Sequence, residues 1–405
     1  MSNSRMMRIL GQALAAGLFL FSVGLAAADL QAAQVLELKG TAAIFNQQGM
    51  ARAALKGGSV LGEEVVQTGQ GSKLTLGFDD GSKLELGPNT RLKVNDQETS
   101  GSVSVFLFLG RLFARIVPMQ SEEPAFAVQT LTTTAGVRGT DFEMAAGMDG
   151  GSLVSVETGA VELASDGGQD QLKAGEQAEV SYDGKLTKAK RGPMTDQQWQ
   201  KWFQSREQFF TQHSDQVVNV LTRRIERSRA LIAEQDRKMA AEKKILAALY
   251  EQGKLTPEQL RQEAAKQIRV YMKLITNLSQ ADNTLLAVNY IINNAEEQIK
   301  LNPDRFTPEF KSQIRSTLGK LKKMDIAALH KQDRQVIAVH FAGIMKSAKK
   351  WKLEGEVWRN LPAKTRQRII QKWQEQKQGG SKGAPVPKQG AKEPPRRPAK
   401  AQEKK

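Results

Sequence analysis

Apolar and polar positions alternate with a period of two along the first half of the chain. Leu74, Leu76 and Phe78 are interleaved with Lys73, Thr75 and Gly77; Leu84 and Leu86 are interleaved with Lys83 and Glu85. Period two with one apolar face predicts strands, and Asp79-Asp80-Gly81 between the two runs predicts a hairpin turn. Val35-Leu36-Glu37-Leu38 opens the pattern, and Leu92 and Val94 continue it after a Pro88-Asn89 turn. Val103, Val105, Leu107 and Leu109 follow, with Phe106 and Phe108 between them, which predicts a strand covered on both faces. Arg111 to Val117 alternates again, as do Val154–Leu163 and Leu172–Val180. Short strands with turn signals every 8–12 residues or so predict a sandwich, barrel or rolled sheet.

At Gly192-Pro193 the period changes to that of a helix. Thr195 with Gln198 forms a capping box. Trp199, Trp202, Phe203, Phe210, Val217, Leu221, Ile225, Ile232, Met239, Leu246 and Leu249 then mark one face of a long helix ending near Gly253. Thr256-Pro257-Glu258-Gln259 opens a second helix, which Asn302-Pro303 stops, and Thr307-Pro308-Glu309 opens a third, with its stripe running to Ile344 and Met345. Three long helices on short loops predict an elongated antiparallel bundle or coiled coil. Trp199, Trp202, Phe203, Phe209 and Phe210 are expected in its core or against the β region rather than around a ligand. Trp351 and Trp358 fall in a connector before a short helix from Pro362 to about Lys377.

The expected organisation is therefore multidomain, β then α. Residues 1–28 are a secretory signal: Arg5 and Arg8, an uncharged apolar run, and Ala26-Ala27-Ala28 before Asp29. The alternative is an inner-membrane anchor over residues 9–28 facing the periplasm. No other run reaches the ~18 apolar residues of a membrane span. An all-β domain follows over 29–192, then a long-helix bundle over 195–350, the Trp-containing connector and helix over 351–377, and a basic Pro/Gly-rich disordered tail over 378–405.

Charge sharpens this division. The net charge of +16 is unevenly spread. It is about −6 over 29–192, about +13 over 193–376 and about +7 beyond. Basic helices and tail admit anionic envelope polymers or lipid headgroups as partners. Export makes nucleic acid a poor candidate. The chain has no cysteine, which removes disulfides and thiolate chemistry. His213, His330 and His340 lack metal-ligand spacing, and no phosphate-binding, dinucleotide or nucleophile-elbow motif occurs. The pairs Glu63-Glu64, Asp79-Asp80 and Glu122-Glu123 are adjacent in turn-like contexts and do not suggest an acid–base couple. No catalytic, cofactor or metal site is expected, and the protein is read as non-enzymatic.

One stretch is distinctive. Val128-Gln129-Thr130-Leu131-Thr132-Thr133-Thr134-Ala135-Gly136-Val137-Arg138-Gly139-Thr140-Asp141-Phe142 resembles the signature of the FecR domain. Gly62–Gly69, Phe78-Asp79-Asp80-Gly81-Ser82 and Gly87-Pro88-Asn89-Thr90 resemble that family's other motifs, in order, and Gly159 and Ala174-Gly175-Glu176 resemble its closing strands. Leu131 stands where the family often has proline. The resemblance implies an extracytoplasmic all-β module. In founding members a cytoplasmic anti-sigma region and a membrane helix precede it. With eight residues ahead of the apolar run, no such region is expected here, and sigma regulation is not expected either. Within Gly136, Val137, Arg138, Gly139, Thr140, Asp141 and Phe142 the glycines are expected to shape the backbone. Arg138 is expected to lock the turn on Asp141 or Glu143, the alternative being a cation offered to a ligand or partner. The function expected is an interaction or scaffold module of the bacterial envelope. The alternatives are a ligand-sensing component of an uptake or signalling system and a charge-driven binder of envelope polymers. The long helices allow self-association.

Overall fold

Leu74, Leu76, Leu84 and Leu86 have no exposed surface, and each such buried side chain contributes roughly 1.5–3 kcal/mol. They belong to the hairpin that the alternation and Asp79-Asp80-Gly81 predict. Phe78 N–H donates to Ser82 O at 3.0 Å, and Asp80 Oδ1 accepts from Ser82 N–H at 3.0 Å. The computed structural model describes residues 31–95, 103–118, 126–190, 192–251, 256–325 and 328. The expected leader, the Glu122-Glu123 pair, His330, His340, the tryptophan connector and the tail lie outside the described residues.

The strands are β1 (Gln31–Lys39), β2 (Ala42–Phe45), β3 (Ala51–Ala53), β4 (Ser59–Leu61), β5 (Val65–Thr68), β6 (Lys73–Gly77), β7 (Lys83–Leu86), β8 (Arg91–Val94) and β9 (Val103–Arg115). They continue as β10 (Phe126–Gln129), β11 (Thr133–Val137), β12 (Asp141–Ala146), β13 (Ser152–Thr158), β14 (Ala160–Ser165), β15 (Gly168–Lys173), β16 (Glu176–Val180) and β17 (Leu186–Lys190). They form one hydrogen-bonded system folded into two layers that share β9. One layer runs β4-β1-β6-β7-β9-β12-β13-β16-β17. The other runs β3-β2-β5-β8-β9-β10-β11-β14-β15, with β9 and β10 parallel. The sequence shows two alternating runs where the fold has one strand of 13 residues. The corner is Gly110, at φ +101°, where a Cβ would sit 2.5 Å from Thr90 Cα. A side chain there would collide with backbone, so only glycine lets β9 change layers.

The helices are α1 (Asp196–Gln212), α2 (Ser214–Glu251), α3 (Pro257–Leu301) and α4 (Pro308–Met324), with a 3₁₀ turn at Pro303–Arg305. The capping boxes at Thr195/Gln198 and Thr256/Gln259 form as expected. Two helical expectations are corrected. The single helix expected from Thr195 to Gly253 is broken at His213 (φ −124°, ψ 37°). Its two parts pack on different layers: Trp199 and Trp202 of α1 bury against Ala145 and Leu153, while Val217, Leu221 and Ile225 of α2 pack with Phe106, Phe108 and Leu131. The third helix ends at Met324, where Asp325 turns left-handed at φ 46° and its N–H bonds Lys322 O. The helices also share a core with the sheet. Phe106 and Phe108 of β9 join Leu285, Val288, Ile292, Phe310 and Ile314 in one apolar cluster. Among the described residues, no helix is long and apolar enough to cross a membrane.

Candidate functional site

The signature stretch runs the length of β11 and has two ends with different roles. At the far end, Val137 and Phe142 are buried, and Thr140 Oγ1 donates to Ala160 O at 2.8 Å. Gly139 takes φ +65°, and a Cβ there would lie 2.9 Å from Pro118 Cα, so glycine is required twice over. Gly136 is paired within the β11–β14 ladder opposite Glu162. Arg138 reaches Glu162 at 3.5 Å across an exposed surface. The expected partners are engaged elsewhere: Asp141 pairs with Arg115 at 3.4 Å, and Glu143 accepts from Trp199 Nε1 at 3.0 Å. The layers are the reason, because Arg138 follows β11, which pairs with β14, whereas Asp141 and Glu143 belong to β12 in the other layer.

The near end is the threonine run, and its hydroxyls fold the turn. Thr130 Oγ1 accepts from the N–H groups of Thr132 and Thr133 at 3.3 and 3.1 Å. Thr132 Oγ1 donates to Gly150 O at 3.1 Å, and both Thr132 and Thr133 hydroxyls meet Ser152 Oγ at 3.0 and 2.8 Å. These bonds tie the β10–β11 turn to the β12–β13 turn and lift Leu131 out of the sheet. Leu131 enters the helical core beside Leu221. The position that departs from the family pattern is thus one the helices use.

A cleft of about 500 Å³ opens between this turn and the helices. The turn Thr130–Thr134 and the end of β14 form one wall; Arg224, Arg227 and Ser228 of α2 form the second, and Gln280, Ala281 and Thr284 of α3 the third. Arg224 fastens these walls together. Its Nη1 lies 2.9 Å from Asp166 and 3.3 Å from Leu131 O, and its Nη2 lies 3.4 Å from Tyr182 O. Its Nε is buried without a hydrogen-bond partner. Burial lowers the Arg224 pKa, opposed by Asp166, yet an arginine stays charged at any physiological pH. Sequence reasoning did not single out this cleft. The nearest signal in the sequence is the adjacent pair Arg223-Arg224, but helical phase alone does not say which arginine turns toward the sheet.

Two further polar clusters attach the helices. On one layer, Trp202 Nε1 donates to Glu179 at 3.2 Å, and Arg206 bridges Glu179 at 3.3 Å and the wholly buried Asp149 at 3.5 Å. Burial pushes Asp149 up to about 6, against the Gly151 N–H and Arg206, which favour its charged form. Burial also raises Glu143. Arg111 lies 3.8 Å from Glu143 and 2.8 Å from Asp196. On the other layer, α3 covers a buried Lys93–Glu63 pair at 2.9 Å, and Asn283 Nδ2 donates to Asn95 at 3.1 Å. The adjacent Glu64 pairs with Arg52 instead. Glu63 and Glu64 therefore serve separate cations and form no couple. Among the described residues, no group of three or more His, Cys, Asp and Glu is placed to hold a metal.

Residues 64–162 match the family model described as FecR protein. No curated protein matches the chain. Two solved structures of a candidate anti-sigma factor from Parabacteroides distasonis are 23% identical, with a TM-score of 0.30. Each covers 34% of this chain, and the chain spans 63% and 64% of their lengths. A solved cell surface anchoring domain is 22% identical, covers 16% of this chain and 88% of its own, and has a TM-score of 0.16. The match begins in the turn before β5 and ends on Glu162, the partner of Arg138, so that it contains the hairpin, the shared strand β9 and the whole signature: residues 64–162 form a FecR-like domain within this chain.

Proposed function

We propose that this protein is a non-enzymatic interaction module of the bacterial cell envelope, exported by its leader, whose FecR domain and helices act as one rigid unit toward a protein partner. The observation that carries this reading is the core shared by β9 and the helices. A helical arm anchored on a sheet by Phe106, Phe108 and Leu131 keeps one orientation, as a scaffold or signalling contact needs. The exposed side of α4 supplies a surface of defined chemistry. Arg315, Lys320, Lys322 and Lys323 project there, while Phe310, Ile314 and Leu321 face inward. An acidic partner surface suits that face.

The test is photo-crosslinking in cells from position 320, followed by recovery at low and high ionic strength. A discrete protein adduct that survives high salt supports the interaction reading. Material released by salt alone points to an anionic polymer held by charge. Absence of any adduct from 320 and from 138, with the protein folded, sinks the interaction reading. A ligand-sensing role is the second reading, and the cleft at the threonine turn favours it.

A further inference from the structure

We propose that the cleft between the threonine turn, α2 and α3 binds a small organic monocarboxylate carrying amide or hydroxyl groups. The proposal goes beyond the interaction reading and does not depend on it. The volume of about 500 Å³ lies within the roughly 300–1,000 Å³ of small-molecule sites.

Charge selects the ligand class. Two guanidinium groups, Arg224 and Arg227, face one carboxylate, Asp166, which Arg224 already engages at 2.9 Å. The lining is left with one net positive charge, which matches a monoanion better than a dianionic phosphate. Arginine's planar fork is suited to a carboxylate.

Preorganisation points the same way. Arg224 is held by Leu131 O, Tyr182 O and Asp166, so its position is set before any ligand arrives. Arg227 stands exposed at the mouth and is free to close on the anion. The remaining lining argues against a bare ion. Gln129 and Gln280 offer amide donors and acceptors, while Phe106, Leu231 and Ala281 offer an apolar floor. Together they suit a compound with an amide and methyl groups next to its carboxylate, such as an acylated dipeptide or an N-acetylated sugar acid.

The experiment is calorimetric titration of the full chain with two matched pairs. One is N-acetyl-alanyl-alanine and its C-terminal amide; the other is N-acetylmuramic acid and N-acetylglucosamine. At least one acid should bind, with its neutral counterpart at least about ten-fold weaker. Whichever acid binds better identifies a peptide or a sugar source. Arg227→Ala should weaken the acid about ten-fold or more without changing the melting temperature, because Arg227 is exposed. The proposal is overturned if neither acid binds, if acid and neutral partner bind alike, if Arg227→Ala binds as well as the parent, or if inorganic phosphate binds as tightly as the better acid. None of these results bears on partner crosslinking from α4, so the two readings fail separately.

Discussion

Replacing Asp149 by asparagine is expected to stabilise the protein at neutral pH, with the gain vanishing on acidification. Asp149 lies wholly buried in the β12–β13 turn, beneath α1. Its Oδ1 accepts from Gly151 N–H at 3.0 Å. Its neighbours on α1 and β16 are Arg206 at 3.5 Å and, through that guanidinium, Glu179. Burial is the dominant influence and pushes the carboxyl up to about 6 from 3.8. The folded protein therefore holds this proton more tightly than the unfolded chain. The stability contributed by Asp149 is complete below pH ~4, where both states are protonated, falls as pH rises from ~4 to ~6, and is gone above. The gap between 3.8 and about 6, at 1.36 kcal/mol per pH unit, amounts to about 3 kcal/mol. Asparagine keeps an oxygen for Gly151 N–H and removes the buried charge. Asp149→Asn should thus gain up to about 3 kcal/mol at pH 7.5 and about none at pH ~3. Urea unfolding followed by tryptophan fluorescence reads this directly, since Trp199 and Trp202 sit on α1. Glu143 titrates in both proteins and cancels in the difference. If Asp149→Asn lowers stability at pH 7.5, or shifts it equally at both pH values, burial is not what governs this carboxyl.

The signature turn gives a paired expectation in thermal melts. Gly139→Ala should cost several kcal/mol, about 1–2 from its positive φ and the rest from collision with Pro118, whereas Arg138→Ala should cost about 1 kcal/mol or less because its ion pair is exposed. Equal costs would reverse the assignment of backbone and side-chain roles. Lys93→Met alone should cost about 3–5 kcal/mol by stranding the buried Glu63, and the Lys93→Met, Glu63→Gln double variant should recover much of that. A strictly additive double-mutant cycle would show the pair to be uncoupled. Trp199→Ala should cost about 3–5 kcal/mol, and loss of the Trp199–Trp202 edge contact at 6.2 Å should be visible in near-ultraviolet circular dichroism; an unchanged melting temperature would mean that α1 is not docked.

The strands from β5 to β8 were legible because they are solvent-facing on one side. Lys73, Thr75, Lys83 and Glu85 mark that side as clearly as the leucines mark the other. β9 was legible as apolar on both faces, but the pattern could not show what covers the second face. A buried position reads the same whether a sheet or a helix lies on it. The candidate site was hidden for a related reason. Thr130, Thr132 and Thr133 read as strand formers, yet their hydroxyls build a turn. Arg224 reads as one more basic residue on a solvated helix, yet it is the residue that joins the cleft's walls.

The period of each segment, the capping boxes, the hairpin turn and the FecR signature can be read along the chain, because each depends on residues within a few positions of one another. Tertiary structure alone decided three things. It broke the first helix at His213, since its apolar residues serve two layers facing different ways. It gave Arg138 to Glu162 rather than Asp141, because β11 and β12 pair in different layers. It also brought Arg224 to the threonine turn 93 residues away. Contacts over such separations are set by which layer a strand joins and which face a helix covers. A one-dimensional pattern does not encode either choice.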